Sequence, residues 1–296
     1  MAIIGIDIGG TNFRIGLVDA DGAVSAFYKV PISRVFVTQD PLADLAGYLK
    51  AYSEGKTVDA VAIGFPATLD AGRQTVLQAP NIAFMENLPV VDVLTKALGV
   101  PVFIERDVTF ALVYDCEKYG IDKEGIVCGF YFGTGMGNAI AVGGKPLIGK
   151  NGTAGELGHI PADGNALQCG CGNTGCLETL AGGKYLAHLC ETVYTQTHIS
   201  DIFTKHGSEP LLLQFVDRLA MAVATEVNIL DPHGVLIGGG VPAMADFPRE
   251  YLEQRILART RKPLPADSLH VIFAEDEPEK SVAGAAIYVR NAMYPV

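Results

Sequence analysis

Residues 2–18 read AIIGIDIGGTNFRIGLV, and residues 126–142 read IVCGFYFGTGMGNAIAV. Each is an apolar run, a turn built of glycine and threonine, and a second run of alternating apolar residues. That pattern spells a β-hairpin. Its recurrence divides the chain into two related halves. After the first hairpin, a DADG turn at 19–22 leads to a third strand over Ala23–Val30. A helix is expected over Asp40–Tyr52, with Asp40 as N-cap and Pro41 just inside it. Strands over Val58–Ile63, Thr75–Gln78 and Val102–Ile104 alternate with helices over Pro89–Leu98, stopped by Gly99, and Val108–Tyr119. After the second hairpin come helices at about 181–193, 199–206 and 209–230, a strand at Gly234–Ile237, a helix at Phe247–Arg259, a strand at Leu269–Ala274 and a helix at Ser281–Asn291. Both halves read as βββαβα units, an α/β class. The expected domains are 1–115, joined by the last helix 281–296, and 116–280.

The chain has 296 residues, 49% of them apolar, which suffices for a large core without disulfides. Its net charge is −11, and its densest basic run is only Arg259-Thr260-Arg261-Lys262. Nucleic acid and anionic membranes are therefore disfavoured as partners. No secretory leader pattern opens the sequence, and no apolar run is long enough to span a bilayer. Cys116, Cys128 and Cys190 sit in periodic apolar segments and read as buried thiols. The expected compartment is reducing and cytoplasmic.

Residues 155–178 read GELGHIPADGNALQCGCGNTGCLE. His159, Cys169, Cys171 and Cys176 supply one imidazole and three thiolates, a closed set for a structural Zn²⁺ with no open position for catalysis. Gly170, Gly172 and Gly175 suit the sharp turns of a metal knuckle. Glu156 and Glu178 flank it, with His159 about one helical turn from Glu156. A metal at His159 would fix both carboxylates without itself reacting.

The two hairpin turns carry the other candidate chemistry. Gly9 and Gly10 let backbone N–H groups approach an anion, and Thr11 adds a hydroxyl. Asp7 beside them would face a phosphate-bound metal or hold a water. Gly133, Thr134 and Gly135 repeat the design, so the pair can clamp a polyphosphate; the plain alternative is two structural hairpins. Gly238-Gly239-Gly240 ends an apolar strand, where Gly239 would let a heterocycle or phosphate lie on backbone, although an ordinary turn also explains it. Gly284-Ala285 fits either a ligand or close helix packing. Glu105-Arg106-Asp107 ends a strand. Asp107 reads either as a helix N-cap or as a general base for a substrate hydroxyl.

Together these residues resemble the ROK family of bacterial sugar kinases and repressors, over essentially the whole chain. The resemblance rests on DIGGT at 7–11, ERD at 105–107, FGTGMG at 132–137, NGTAGELGH at 151–159, CGCGNTGCLE at 169–178 and LDP…LIGGG at 230–240. It implies two actin-like, ribonuclease-H-type α/β domains with a cleft between them and a zinc knuckle in the second. It implies ATP- and Mg²⁺-dependent phosphorylation of a hexose, usually at O6, and often a homodimer. It places the catalytic base at Asp107 and sugar contacts at Asn81, Arg106, Asp107, Glu156, His159 and Glu178. Asp7, Gly9, Gly10, Thr11, Gly133, Thr134, Gly135 and Gly239 fall on its nucleotide side. His159 resembles a family histidine that holds zinc on one ring nitrogen and a sugar hydroxyl on the other.

The departures from the common pattern are informative. Arg106 stands where Asn usually precedes the base, Phe65-Pro66-Ala67 replaces Gly-Pro-Gly, and Asn12 replaces a frequent Lys. Arg106-Asp107, Phe65-Pro66-Ala67, GTGMG, GELGHIP and FPRE at 247–250 look like the allose kinase branch of the family. D-allose is therefore the expected hexose, with glucokinase, fructokinase and N-acetylmannosamine kinase as alternatives. A sugar-responsive regulator lacking its DNA-binding domain is the alternative of another class. Such regulators carry an N-terminal winged helix, whereas here a strand begins at Ala2.

Overall fold

The computed structural model describes residues 1–121 and 124–293, so 294–296 of the expected last helix lie outside it. In chain order the elements are β1 (Ile3–Ile8), β2 (Asn12–Val18), β3 (Val24–Pro31), α1 (Pro41–Ser53), β4 (Ala60–Phe65), β5 (Thr68–Leu69), β6 (Val76–Gln78), α2 (Val90–Leu98), β7 (Val102–Arg106) and α3 (Asp107–Lys118). There follow β8 (Ile126–Phe132), β9 (Met136–Val142), β10 (Lys145–Pro146), α4 (Glu178–Ala181), α5 (Gly183–Thr192), α6 (Ile202–His206), α7 (Pro210–Leu230), β11 (Gly234–Gly238), α8 (Arg249–Arg259), β12 (Val271–Phe273) and α9 (Lys280–Met293). Two units divide them. The first holds Met1–Tyr119, Ile148–Ala154 and the chain from Glu277 onward; the second holds Gly120–Leu147 and Gly155–Asp276. The segment Ile148–Ala154 thus clusters with the first unit, although the sequence boundary 116–280 assigns it to the second.

In the first unit the sheet order is β3-β2-β1-β4-β7. The β1–β2 and β2–β3 pairs are antiparallel, and β4 and β7 run parallel to β1. Alternation sorts the β1 side chains. Ile4, Ile6 and Ile8 pack with Leu45 of α1 and Leu94 of α2. Ile3 joins Phe110, Val282 and Ala285 on the side of α3 and α9. Gly5 shares that second face, where a Cβ would collide with the Val282 backbone. Gly284 meets the Phe110 carbonyl in the same way, so its role is helix packing of α9 on α3. Asp7 lies on this face at the C-terminal end of β1. Capping follows the sequence for α1, where Asp40 accepts from the Ala43 N–H at 3.0 Å, and for α2, which stops at Gly99 with φ 72°.

The second unit repeats the order as β10-β9-β8-β11-β12, with the same parallel and antiparallel pairs. Its third strand is only two residues long. Phe130, Phe132 and Ile237 pack against Leu219 and Val223 of α7. The helix expected over 181–193 is broken: Gly182 is extended, at φ −98° and ψ 169°, and separates α4 from α5. The helix expected at 199–206 opens as a 3₁₀ turn over Ile199–Asp201. Cys116 and Cys128 are buried as expected, but Cys190 is only partly covered.

Candidate active site

The first unit gathers its candidate residues at the C-terminal ends of β1, β4 and β7. Asp7 on β1 stands opposite Gly64 on β4, which stands opposite Glu105 on β7. A Cβ on Gly64 would lie 3.3 Å from Cα of Asp107, so this glycine lets the start of α3 approach the sheet end. Asp107 is not the N-cap. Arg106 takes that position with extended backbone, and Asp107 is the first helical residue, its Oδ1 accepting from the Val108 N–H at 2.8 Å. Burial, and next the neighbouring Asp7 carboxylate, push the Asp107 carboxyl up to about 7. A carboxylate so placed is half-protonated near neutral pH, the condition for a general base or acid. Burial also raises the Asp7 carboxyl, against the pull of Arg14.

Arg14 was not singled out in the sequence. It faces Asp7 across the β1–β2 hairpin, with Nη1 2.7 Å from Asp7 Oδ2. The register supplies this pairing, which a linear reading sees only once the hairpin is aligned. Within the turn itself, the Gly9 N–H donates to the Asn12 carbonyl at 2.8 Å. Exposed Asn81 lies beside it, 3.2 Å from where a Cβ on Gly10 would stand. Asp7, Gly9, Gly10, Thr11 and Asn81 therefore share one neighbourhood. Arg106 is buried, and its Nη2 donates to the Ala154 carbonyl at 2.8 Å.

The second unit gathers its candidates around the β8–β9 turn. The Gly183 and Lys184 N–H groups at the start of α5 donate to the carbonyls of Gly133 and Thr134, at 2.8 and 3.0 Å. A trans peptide holds its N–H opposite its carbonyl. The N–H groups of Thr134 and Gly135 are therefore aimed away from α5, as an anion-binding turn requires. Gly182 and Gly183, also missed in the sequence, permit this docking: a Cβ on Gly183 would come 2.6 Å from the Gly133 oxygen. The Gly-Gly pair in a helical stretch was the available sign. Gly239, at φ 96°, adjoins the same turn, since its Cβ would lie 2.6 Å from the Phe132 oxygen.

The knuckle lies beside this turn. Glu178 opens α4; its Oε2 accepts from the Met136 N–H at 3.4 Å and its Oε1 from the Cys169 thiol at 3.2 Å. A 3₁₀ turn over Leu157–His159 sets His159 one turn from Glu156, with Nε2 3.5 Å from the Glu156 carboxylate. Nδ1 points the other way, 3.5 Å from Cys169 Sγ. Cys171 and Cys176 sulfurs are 3.6 Å apart. One ligand atom from each of His159, Cys169, Cys171 and Cys176 lies within 4.8 Å of all the others. Tetrahedral thiolates at ~2.3 Å from zinc stand roughly 3.8 Å apart, so this donor set fits zinc. Gly172 and Gly175 have φ of 97° and 87°, as knuckle turns demand, whereas Gly170 has no such conformation. The N–H of Asn173 pulls the Cys171 thiol down toward its thiolate, while burial pushes Cys169 up to about 12.

No helix among the described residues is long and apolar enough to cross a membrane. The family model described as ROK family matches residues 3–292. A glucokinase of Thermotoga maritima is 30% identical over 264 residues, covering 81% of this chain and 82% of the relative. An N-acetylmannosamine kinase of Shigella flexneri is 29% identical, covering 81% and 84%. Among solved structures, a ROK family glucokinase from Streptomyces griseus in complex with glucose and AMPPNP is similar with a TM-score of 0.76 and 27% identity, over 97% of this chain and 98% of that one.

Proposed function

Because the chain belongs to the ROK family and is a sugar kinase that takes phosphate from ATP, we propose that its acceptor is O6 of a hexose, with D-allose preferred. The observation that carries this reading is Asp107, held at a strand end with its carboxyl pushed up to about 7. In the proposed step Asp107 accepts the O6 proton as that oxygen bonds to the γ-phosphorus. The bond from phosphorus to the β–γ bridging oxygen breaks, and ADP leaves.

Asn81, Arg106, Glu156, His159 and Glu178 are proposed to hold the sugar. Gly9, Gly10, Thr11, Gly133, Thr134, Gly135 and Gly239 are proposed to hold the nucleotide, with Asp7 toward its Mg²⁺. The metal would neutralise developing phosphate charge, and the oriented turn amides add to that, where most of the barrier lowering in phosphoryl transfer lies. His159, Cys169, Cys171 and Cys176 would hold zinc as a scaffold. With Nδ1 committed to zinc, the tautomer at Nε2 is fixed for a hydroxyl.

Arg106 and Phe65-Pro66-Ala67 support allose. Allose differs from glucose at C3 alone, and a hydrogen-bonding site discriminates epimers because the wrong one leaves buried groups unpaired. The test is coupled ADP release with D-allose, D-glucose, D-fructose, D-mannose and N-acetylmannosamine. Allose should give the highest kcat/KM. A wide margin for glucose or the amino sugar would refute the allose assignment and leave the kinase.

A further inference from the structure

We infer that Arg73, through its buried partner Glu105, is a positioning residue for the hexose-binding arm that begins at Gly155; this rests on the kinase reading above. Arg73 lies in the turn between β5 and β6, at φ 51°, in the left-handed region that non-glycine residues seldom enter. Asp70 shapes that turn, its carboxylate accepting from the N–H groups of Gly72, Gln74 and Thr75. The Arg73 side chain is 10% exposed and that of Glu105 fully buried.

A buried carboxylate is costly unless it is paired and hydrogen-bonded. Glu105 takes no part in the proposed chemistry, yet both its oxygens are used. Oε2 accepts from Arg73 Nε at 2.8 Å, and Oε1 accepts from the Arg106 N–H at 2.8 Å.

The rest of the Arg73 fork reaches the segment Ile148–Ala154. Nη1 donates to the Gly152 carbonyl at 3.2 Å and to the Asp70 carbonyl at 3.1 Å. The Arg106 fork donates to the Ala154 carbonyl. Glu105 thus holds the Arg73 guanidinium through one oxygen and the Arg106 backbone through the other, and the side chains of these two arginines grip alternate carbonyls of a single loop. That loop is closed on itself by the Ala154 N–H on the Ile148 carbonyl at 3.1 Å. Gly152, at φ 83°, sits so close to the β5 end that a Cβ would lie 2.5 Å from the Leu69 oxygen. The next residues along the chain are Gly155 and Glu156, with His159 soon after. Fixing residues 152 and 154 fixes where this arm departs. Only a planar fork can serve the carboxylate and the carbonyl together; a lysine supplies one point charge.

The test uses Arg73→Lys and Gly152→Ala, with steady-state kinetics and hexose calorimetry read in parallel. Arg73→Lys keeps a charge for Glu105 but loses the fork. Gly152→Ala drives the loop from both Leu69 and the Arg73 fork, since its Cβ would lie 2.8 Å from Arg73 Nη1, and it decides alone should the lysine variant fail to fold. Each variant should weaken hexose KM and hexose affinity roughly tenfold or more, as expected for losing a charged donor. The ATP KM at saturating hexose should stay within about twofold, the split that separates hexose positioning from general loosening. An unchanged hexose KM, or both KM values rising together, overturns the inference. If the wild type turns over no hexose, the kinase reading fails instead, and the calorimetric affinities still decide the role of Arg73.

Discussion

Glu178 accepts from the Cys169 thiol at 3.2 Å through one carboxylate oxygen, and through the other from the Met136 N–H at 3.4 Å. One side chain therefore joins the Cys3His cluster to the β8–β9 turn. A zinc ion at the knuckle would fix Glu178 from one side and His159 from within the donor set. Cys171→Ser should lower bound zinc well below one per chain and raise hexose KM by about 10–100-fold, the usual cost of disturbing such a shell. Metal analysis beside hexose kinetics checks this. Full hexose affinity in zinc-free protein contradicts it.

The elevated carboxyl of Asp107 sets a pH limb. A base must be ionised, so kcat/KM should fall tenfold per pH unit below about 7 and level off above it. Asp7→Asn removes the neighbouring charge that contributes to the shift, and should move this limb to lower pH whatever its effect on the maximum. A limb in the same place for Asp7→Asn would remove Asp7 as a cause.

The same group should oppose folding at high pH. Its carboxyl titrates near 7 in the folded chain and near ~4 when unfolded, so the folded state binds more protons between those values. Its favourable contribution is present at low pH and is lost as pH rises through 7. Asp107→Asn should therefore melt higher than the wild type at pH 8, by a margin that shrinks at pH 5. A margin independent of pH would contradict the shift.

Gly183→Ala tests the docking of α5 on the β8–β9 turn, proposed above to hold phosphate. Its Cβ would stand 2.6 Å from the Gly133 oxygen, so the turn or the helix must move. ATP KM should rise about tenfold or more as the aimed amides are displaced, with hexose KM less affected. An unaltered ATP KM would show that this turn does not bind nucleotide.

Both hairpins were legible in the sequence because period-two alternation and glycine-rich turns are local. The caps at Asp40 and Gly99 were legible for the same reason. Asp107 was misplaced by one residue: its backbone is already helical, and its Oδ1 accepts from the next N–H. The pairs Asp7–Arg14 and Arg73–Glu105 follow from strand register and from a contact across 32 residues, which no linear pattern displays. The break at Gly182 was hidden because the residues around it continue a helical pattern. Only the close approach of α5 to the Thr134 backbone accounts for two successive glycines there. The gathering of His159, Cys169, Cys171 and Cys176 was legible because their close spacing in sequence is local. Which histidine nitrogen faces the thiols required the fold.

Asp107 is the residue on which the proposed phosphoryl transfer turns. The decisive measurement is single-turnover phosphoryl transfer by Asp107→Asn with ATP, Mg²⁺ and saturating hexose, alongside calorimetric hexose binding. Transfer should slow by about 10²–10⁴-fold, the usual loss for a missing general base, while hexose affinity stays within a few-fold. Transfer at the wild-type rate by a variant that binds hexose normally would contradict Asp107 as the base.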